Sequence, residues 1–260
     1  MGDQCEMFGI TDPGMVRSSN QDCIHVDAQH GLFVLADGVG GGPSGELASR
    51  IAVQTVRDAL RDELESRWYR FWGRADSARL AVMEQAVMAA HEAVRQQIEE
   101  DPDLKGMAST LLVGVLEPGR CLCVAVGDSR LYHLNADRLR QITHDQTLAN
   151  KLCDDGFITP DDAQYARYTH ILVHAVGGEE LPVVQRHVLE MNTGDRVLAC
   201  SDGLSGMLPD AAINDLLMQA QRLDEAGNSL VAAANEAGGK DNVSVVVATV
   251  GARGLLPLCG

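Results

Sequence analysis

Two dipeptides in this chain, Asp37-Gly38 and Asp202-Gly203, stand at the ends of apolar runs that have the character of buried strands. The first follows LFVLA and the second follows RVLACS. Asp128 lies at a turn between two other apolar runs, and Asp241 comes just before the last run, VSVVVATV. A carboxylate at the end of a buried strand is costly unless it is paired or binds a cation. The four aspartates are therefore candidates for a shared cation site.

Each of these aspartates also has an ordinary explanation, because Asp-Gly is a common turn dipeptide. Four of them at strand ends, with only Lys240 and Arg130 as basic neighbours in sequence, favour a cation site over unrelated turns. Carboxylate oxygens without nearby His or Cys suit Mg²⁺ or Mn²⁺ rather than zinc or copper. The glycine after Asp37 and after Asp202 would permit a tight turn and let a backbone carbonyl approach the same ion.

The elements that must position these carboxylates are strands and amphipathic helices in an irregular order. Short strand-like runs open the chain, helices follow over about residues 46–67 and 76–99, and a meander of strands occupies the middle. Two further helices, PDAAINDLLMQA and DEAGNSLVAAANEAG, precede the last strand. Because strands and helices do not alternate regularly, the order favours an α+β fold with antiparallel sheets packed face to face and helices outside.

The length of 260 residues suits one large domain, and no repeat or clear linker divides the chain. We therefore expect a single domain over residues 1–260, in which a less regular polar segment, roughly 144–181, forms an inserted flap. The aromatic segment WYRFWGRAD is expected to connect the first two helices. The glycines at positions 40–42 are expected to turn the chain into the first of them.

Composition excludes several classes of protein. A formal charge of −16 argues against nucleic-acid binding, which needs clustered Lys and Arg. The N-terminus lacks the basic and apolar regions of a signal peptide, and the longest apolar run is too short to cross a membrane. The seven cysteines lack paired C-x-x-C spacing, and Cys121 and Cys123 fit one face of a buried strand better than a zinc site. We expect a cytoplasmic protein with reduced thiols, and neither a nucleic acid nor a membrane among its partners.

Six dispersed motifs carry a resemblance to a known family. In chain order they are TDPGMVRSSNQD (11–22), ADGVGG (36–41), GELAS (45–49), GDSRLY (127–132), SDGL (201–204) and GKDN (239–242). The series resembles the metal-dependent protein phosphatases of type 2C, in their bacterial branch, and the match runs from about residue 9 to 250. The resemblance implies an antiparallel β-sandwich flanked by helix pairs (αββα), which agrees with the order of elements.

The resemblance also implies a role for each matching residue in a centre that holds Mn²⁺ or Mg²⁺. Asp37 would bridge two metal ions, and the backbone carbonyl of Gly38 would complete the second. Asp202 and Asp241 would bind the first metal. Asp22 would reach the second metal through water.

Further roles follow from the same resemblance. Asp128 would join Asp202 at a third, weaker metal site, and Arg17 would grip the substrate phosphate, for which a guanidinium fork suits better than a Lys. The two metals would present a bridging hydroxide that attacks phosphorus in line, without a phosphoenzyme. Val39 stands where many eukaryotic members have a histidine thought to protonate the leaving group, which leaves the general acid open. Gln146 stands where the family usually has His after Asp.

The function implied is a protein serine/threonine phosphatase that acts on phosphoproteins and opposes a bacterial Ser/Thr kinase, with that kinase itself among the expected partners. One alternative is a pseudophosphatase that binds phosphoproteins without turnover, which would be expected to lose metal-binding aspartates. Another is a metal-dependent hydrolase of small phosphate esters, which a comparison of phosphopeptide and metabolite turnover would distinguish. The absence of a Cys-x5-Arg loop argues against a cysteine-based phosphatase.

Overall fold

The protein is described here from a computed structural model. The structure describes residues 5–40, 43–65, 74–136, 138–162 and 164–250. Most of the predicted connection WYRFWGRAD, two of the three glycines expected to start the first helix, and Cys259 lie outside the described residues.

Antiparallel strands and helices follow one another in the irregular order that the sequence predicts. The strands are β1 (Cys5–Asp12), β2 (Asp22–Asp27), β3 (Leu32–Val39), β4 (Ala108–Ser109), β5 (Leu111–Glu117), β6 (Arg120–Val126), β7 (Arg130–Asn135), β8 (Arg138–Gln141), β9 (Gln185–Glu190), β10 (Arg196–Cys200) and β11 (Val243–Val250). The helices are α1 (Pro43–Glu65), α2 (Asp76–Glu100), α3 (Leu148–Asp154), α4 (Tyr165–Tyr168), α5 (Asp202–Ser205), α6 (Asp210–Gln219) and α7 (Leu223–Glu236), with a short 3-10 helix at Pro102–Leu104.

The strands form two sheets. One has the order β1-β11-β10-β7-β8, and the other has the order β2-β3-β5-β6-β9, with β4 paired to the end of β3. Neighbouring strands run antiparallel throughout these sheets. The single meander predicted for the middle of the chain is wrong: β5 and β6 pair in one sheet and β7 and β8 pair in the other. The turn between β6 and β7, which carries Asp128, crosses from one sheet to the other.

Apolar side chains pack in three layers. Phe33 of one sheet and Val246 of the other belong to the layer between the sheets. Val56 of α1 and Val87 of α2 pack on the outer face of the sheet that contains β3. Leu230 of α7 packs, together with residues of α6, on the outer face of the other sheet. The resulting helix–sheet–sheet–helix arrangement is the αββα sandwich predicted from the sequence, and the α+β fold class is confirmed.

The cysteines of β6 lie where their alternation placed them. Cys121 and Cys123 both face the layer between the sheets and are fully buried. Burial raises the pKa of the Cys121 thiol to about 12, so it stays protonated. Within the described part of the chain, no third His, Cys, Asp or Glu joins them in a group that could hold a metal. The two thiols act as small apolar core residues.

One strand boundary differs from the sequence prediction. The strand that carries Asp37 does not end at the Asp-Gly pair but continues to Val39, because Gly38 and Val39 pair with Ser109 and Ala108 of β4. The other Asp-Gly pair behaves differently: β10 ends at Cys200, and Asp202 is the first residue of helix α5.

The segment 144–181 is tied to the sandwich near both of its ends. Ser109 forms a β-bridge with Val176, and Gln146 exchanges hydrogen bonds with Gly127. Within the segment, Thr147 bridges to Leu172. The segment therefore contacts the strand ends that carry Asp37 and Asp128. None of the helices that the structure describes has the length and apolar character needed to cross a bilayer.

Candidate metal centre

Two of the predicted ligands, Asp22 and Asp37, lie directly opposite each other on β2 and β3. Asp22 is only 8% exposed. Its Oδ2 accepts a hydrogen bond of 2.8 Å from the Ser201 hydroxyl, whereas its buried Oδ1 has no hydrogen-bond partner. Burial, reinforced by the charges of Asp202 and Asp241, raises the pKa of Asp22 to about 6. A buried carboxylate oxygen without a donor marks a position where a water or a cation completes the site.

The backbone of Asp37 is held on both sides by the β4–β5 segment. Its N–H donates to Thr110 Oγ1 at 2.9 Å, and its carbonyl accepts from the Thr110 N–H at 2.8 Å and from the Ser109 hydroxyl at 2.9 Å. These bonds fix the backbone of Asp37 near the end of β3, and with it the starting point of the side chain. The Asp37 pKa is raised well above its ordinary value, first by burial and then by the charges of Asp22 and Asp202, with smaller effects from Asp128 and Asp241.

Only glycine fits at position 38, because the backbone segments that carry Gln21 and Gly45 both lie close to it. A Cβ at this position would lie 2.0 Å from the Gly45 carbonyl oxygen and 2.7 Å from that of Gln21. The Gly38 N–H donates to the same Gln21 oxygen at 3.1 Å, and that oxygen also accepts from the Ser49 hydroxyl at 2.6 Å. The first turns of α1 are thereby packed against the strand end that carries Asp37.

Asp202 comes to the site from the other sheet. It starts helix α5, and a Cβ on the following Gly203 would lie 1.9 Å from the Asn242 carbonyl oxygen, so the turn packs directly on the segment before β11. Burial and the charge of Asp241 raise the Asp202 pKa, while the positive charges of Arg17 and Arg130 oppose that rise. Asp202 thus shares the carboxylate cluster, but positive charge offsets more of the rise in its pKa than it does at Asp37, where burial and the other carboxylates dominate.

Asp128 stands in the turn between β6 and β7, which Gln146 holds. The Gln146 side chain accepts from the Gly127 N–H at 2.8 Å, and its backbone N–H donates to the Gly127 carbonyl at 3.0 Å. Burial, followed by the charges of Asp202 and Asp145, raises the Asp128 pKa to about 7. The neighbouring Arg130 pairs with Asp145 at 2.7 Å instead of with Asp128.

Arg17 lies at the rim of the cluster. Its Nη2 donates to Asp241 Oδ2 at 2.7 Å, and both side chains are well exposed. Its pKa is raised, mainly by the hydrogen bond and charge of Asp241 and further by Asp202 and Asp37. In this conformation the guanidinium therefore neutralises part of the carboxylate cluster.

Asn242 fixes the loop that carries Arg17, and sequence analysis assigned it no role. Its Oδ1 accepts from the Gln21 N–H at 2.8 Å, and its Nδ2 donates to the carbonyls of Pro13 at 2.9 Å and Ser19 at 2.8 Å. The side chain is 4% exposed. The only signal in the sequence was its place in the GKDN motif beside Asp241.

Two further residues that sequence reasoning missed support the acids by hydrogen bonds. Thr110 holds the backbone of Asp37, as described above, and its hydroxyl also contacts that of Ser129 at 2.7 Å. Ser201 is fully buried, donates to Asp22 and accepts from the Ser244 N–H at 3.0 Å. Its hydroxyl therefore holds the Asp22 carboxylate in place. A single hydroxyl residue beside a strand end carries no local pattern that marks it as a support.

The donor set fits hard divalent cations. Five carboxylates from separate segments influence one another's ionisation, one of them has an unpartnered buried oxygen, and Arg17 lies at their rim. Oxygen-only ligands suit Mg²⁺ or Mn²⁺. As the side chains stand, no three His, Cys, Asp or Glu residues in the described ranges are grouped closely enough to hold one ion. Asp241, one of the predicted ligands, is hydrogen-bonded to Arg17.

Comparison with known proteins decides the family. The family model described as protein phosphatase 2C matches residues 16–244, a range that contains all seven predicted site residues. The chain belongs to the protein phosphatase 2C family.

Relatives within this family agree in sequence and in fold. The serine/threonine protein phosphatase PstP of Mycobacterium tuberculosis is 36% identical over 241 residues, which cover 92% of this chain and 44% of that protein. The serine/threonine phosphatase Stp of Listeria innocua is 30% identical over 243 residues, covering 91% of this chain and 92% of that protein. The crystal structure of the PstP catalytic domain in complex with two manganese ions superposes with a TM-score of 0.80, at 35% identity, over 96% of this chain and 99% of that one. The chain thus spans less than half of the full length of PstP.

Proposed function

We propose that this protein phosphatase 2C chain is a metal-dependent protein serine/threonine phosphatase. The observation that carries the proposal is the convergence of Asp22, Asp37, Asp128, Asp202 and Asp241, from five separate segments, at one edge of the two sheets. So many partly or fully buried acids cost stability unless cations bind them. The names of the relatives, which are serine/threonine phosphatases, and the manganese in the PstP catalytic domain support the same conclusion.

The residues that would hold Mn²⁺ or Mg²⁺ are those named from the sequence. Asp37 would bridge two ions, Asp202 and Asp241 would complete the first, and the Gly38 carbonyl would serve the second. Asp22 would contact the second ion through a water molecule, because its buried Oδ1 has no hydrogen-bond partner and would accept a hydrogen bond from that water. When bound, the ions would supply an activated water and neutralise charge on the phosphoryl oxygens.

A third, weaker site would use Asp128 with Asp202. The two carboxylates interact electrostatically, since the charge of Asp202 raises the pKa of Asp128. The turn that carries Asp128 is fixed by Gln146, so its backbone needs no rearrangement to present the carboxylate.

Arg17 would change partner when the centre is loaded. Its guanidinium now pairs with Asp241, one of the proposed ligands. Once Asp241 binds a cation, the guanidinium would be released to hold two oxygens of the substrate phosphate.

The proposal extends to partners and organisation. The substrates would be phosphoproteins, among them a cognate Ser/Thr kinase. Six free cysteines in the described part of the chain accord with a reducing, cytoplasmic setting. Residues 144–181 would act as a flap on one domain comprising residues 1–260, because the segment contacts the strand ends that carry Asp37 and Asp128 through Ser109 and Gln146.

The test is phosphate release from a phosphothreonine peptide, with and without Mn²⁺, by the wild type and by Asp37→Asn. We expect turnover that requires Mn²⁺ and falls at least about a hundredfold in the variant, because a ligand and a charge are lost at the reacting centre. Asp27→Asn is the matched control, since Asp27 lies at the opposite end of β2 and pairs with His30. It should retain wild-type turnover.

Other outcomes would separate the alternatives. If the wild type with Mn²⁺ hydrolyses neither the peptide nor para-nitrophenyl phosphate, the phosphatase proposal fails and a binding module without turnover replaces it. If small phosphate metabolites are turned over far faster than phosphopeptides, the chain is a hydrolase of small esters.

A further inference from the structure

Two large apolar side chains stand exposed beside Arg17. Met15 is 70% exposed and Val16 is 68% exposed, and neither belongs to any of the three apolar clusters that the described residues form. Single exposed apolar residues are ordinary on protein surfaces. Two in succession, directly before the residue proposed to hold phosphate, are a feature of the site's rim.

The loop that presents them is fixed by its backbone. The Met15 N–H donates to the Gly239 carbonyl at 2.8 Å, and the Gly14 N–H donates to Asp12 Oδ1 at 2.8 Å. Gly14 has a positive φ of 76° and its Cβ would lie 2.2 Å from the Asp241 carbonyl oxygen, so the turn is packed closely on the metal-site segment. With Asn242 holding both ends of the loop, the Met15 and Val16 side chains are displayed to solvent on a firmly tied backbone.

Most other exposed apolar residues in the described part of the chain lie at the end of β3 or between α3 and β9. Nine large apolar residues are exposed in the described ranges. Seven of them lie on this loop, at the end of β3, or between α3 and β9. These seven are Met15, Val16, Val39, Phe157, Ile171, Leu181 and Val183. With cations on its carboxylates and Arg17 at its rim, the centre would suit a ligand that is anionic at one point and apolar beside it.

We propose that Met15 and Val16 form a docking surface for an apolar side chain that neighbours the phosphorylated residue of a phosphoprotein substrate. The proposal rests on the phosphatase function and deepens it, because it names a specificity determinant. With the phosphate on Arg17, the next residues of an extended substrate segment lie about 3.5 Å apart along the chain and pass over the adjoining loop. Contact with the Met15–Val16 surface removes apolar area from water on both sides.

The test compares two phosphothreonine peptides that differ only beside the phosphorylated residue, with Leu and Val in one and Ser and Gly in the other. Para-nitrophenyl phosphate, which has no flanking residues, reports on the chemistry alone. We expect the wild type to show a kcat/KM about tenfold higher for the apolar peptide. The double variant Met15→Ser/Val16→Ser should lose this preference, mainly through KM, and keep its turnover of para-nitrophenyl phosphate.

Two more variants make the comparison specific. Met218→Ser removes an exposed apolar side chain from α6, outside the three segments, and should leave the preference intact. Val16→Thr keeps the shape of the side chain and replaces a methyl group by a hydroxyl, so it should lower the preference without disturbing the loop.

Each contrary result has a distinct meaning. If the wild type shows no preference between the peptides, or the double variant retains it, the docking surface is wrong while the phosphatase function stands. If the wild type turns over none of the three substrates with Mn²⁺, the function fails and the docking surface falls with it. If the double variant instead converts a dimer into a monomer without changing the preference, the surface is a contact between copies of the chain and the proposal is overturned.

Discussion

The two Asp-Gly pairs look alike in the sequence and are built differently in the structure. At Asp37-Gly38 the strand continues, and both residues remain in a sheet because β4 pairs with the end of β3. At Asp202-Gly203 the strand has already ended and a short helix begins. The same dipeptide thus places one carboxylate on a strand of one sheet and the other at the start of a helix that follows a strand of the second sheet.

The two glycines nevertheless solve the same steric problem. Gly38 faces the carbonyl oxygens of Gly45 and Gln21, and Gly203 faces that of Asn242. In each case a neighbouring backbone segment comes too close for any side chain. Asp-Gly at a strand end therefore marks a place where two main chains meet beside a carboxylate, whatever secondary structure follows.

The charges around the two aspartates differ more than the backbones do. The Asp37 pKa is raised by burial and by four other carboxylates, whereas Arg17 and Arg130 offset part of the rise at Asp202. Without metal, the ionised Asp37 side chain is thus the less compensated of the two.

The largest effect is expected from filling the glycine positions. Gly38→Ala and Gly203→Ala should each lower the free energy of unfolding by about 3 kcal/mol, because the new Cβ would meet backbone atoms that cannot rotate away. Urea unfolding followed by circular dichroism measures this. Gly119→Ala is the control: its φ is 84° but a Cβ there would meet open space, so the cost should be about 1 kcal/mol. A variant at Gly38 or Gly203 as stable as the control would show that the close approach is not rigid.

Replacing each aspartate by asparagine should change the free energy of unfolding by different amounts at Asp37 and Asp202. In the presence of a chelator at neutral pH, Asp37→Asn should raise the free energy of unfolding by about 1 kcal/mol, and Asp202→Asn should raise it by less. The physical reason is that an amide removes a buried, repelled carboxylate at Asp37, whereas at Asp202 it also removes attraction to two arginines. Urea unfolding in EDTA and again in Mn²⁺ checks this, and Mn²⁺ should stabilise the wild type more than either variant. A less stable Asp37→Asn protein in EDTA would contradict the electrostatic difference.

The smallest effect concerns a histidine that supports only the Asp37 side. Ser109 contacts the Asp37 carbonyl and bridges to Val176, and the next residue, Gly177, donates its N–H to the buried His91 Nδ1 at 3.1 Å. Burial lowers the pKa of His91, with Arg95 lowering it further and Glu92 opposing the effect. Protonation would remove the acceptor. The folded protein therefore resists protonation more than the unfolded chain, whose His titrates near 6.5.

The sign of the pH dependence follows from this difference. The stability that His91 contributes is fully present above its unfolded pKa and is lost as the pH falls towards its lower folded pKa. We expect a loss of stability, smaller than the effects above, that is absent in His91→Gln and is measured by urea unfolding between about pH 7.5 and 5.5. Hydrogen exchange should show the opening at residues 174–178 and not at α5. If hydrogen exchange increased equally at residues 174–178 and at α5, His91 would not act on the Asp37 side alone.

The sequence predicted most of the fold because its signals were local. Spacings of three to four apolar residues gave α1 and α2, and short apolar runs between turns gave the strands of the middle. The continuation of β3 past Asp37 was missed because its partner, β4, is more than 60 residues away and only two residues long. Pairing with a remote segment leaves no local pattern to recognise.

The candidate site shows the same division. Asp22, Asp37, Asp128, Asp202 and Asp241 could be named from residue type, strand ends and ordered motifs. Their supports could not, since Thr110, Ser201 and Asn242 are single polar residues whose hydrogen-bond partners lie far away in the chain. Likewise, the pairing of Arg17 with Asp241 spans 224 positions and became visible only in the fold.

The sequence alone thus determined the family and the fold class and predicted the acids of the candidate site, because these depend on residue types and their order along the chain. Only the tertiary structure showed that Asp22 has an oxygen without a hydrogen-bond partner and that two arginines influence Asp202. It also showed which backbone segments lie too close to Gly38 and Gly203 for a side chain. Burial and electrostatic interaction depend on distances between segments, and those distances exist only once both sheets have packed together.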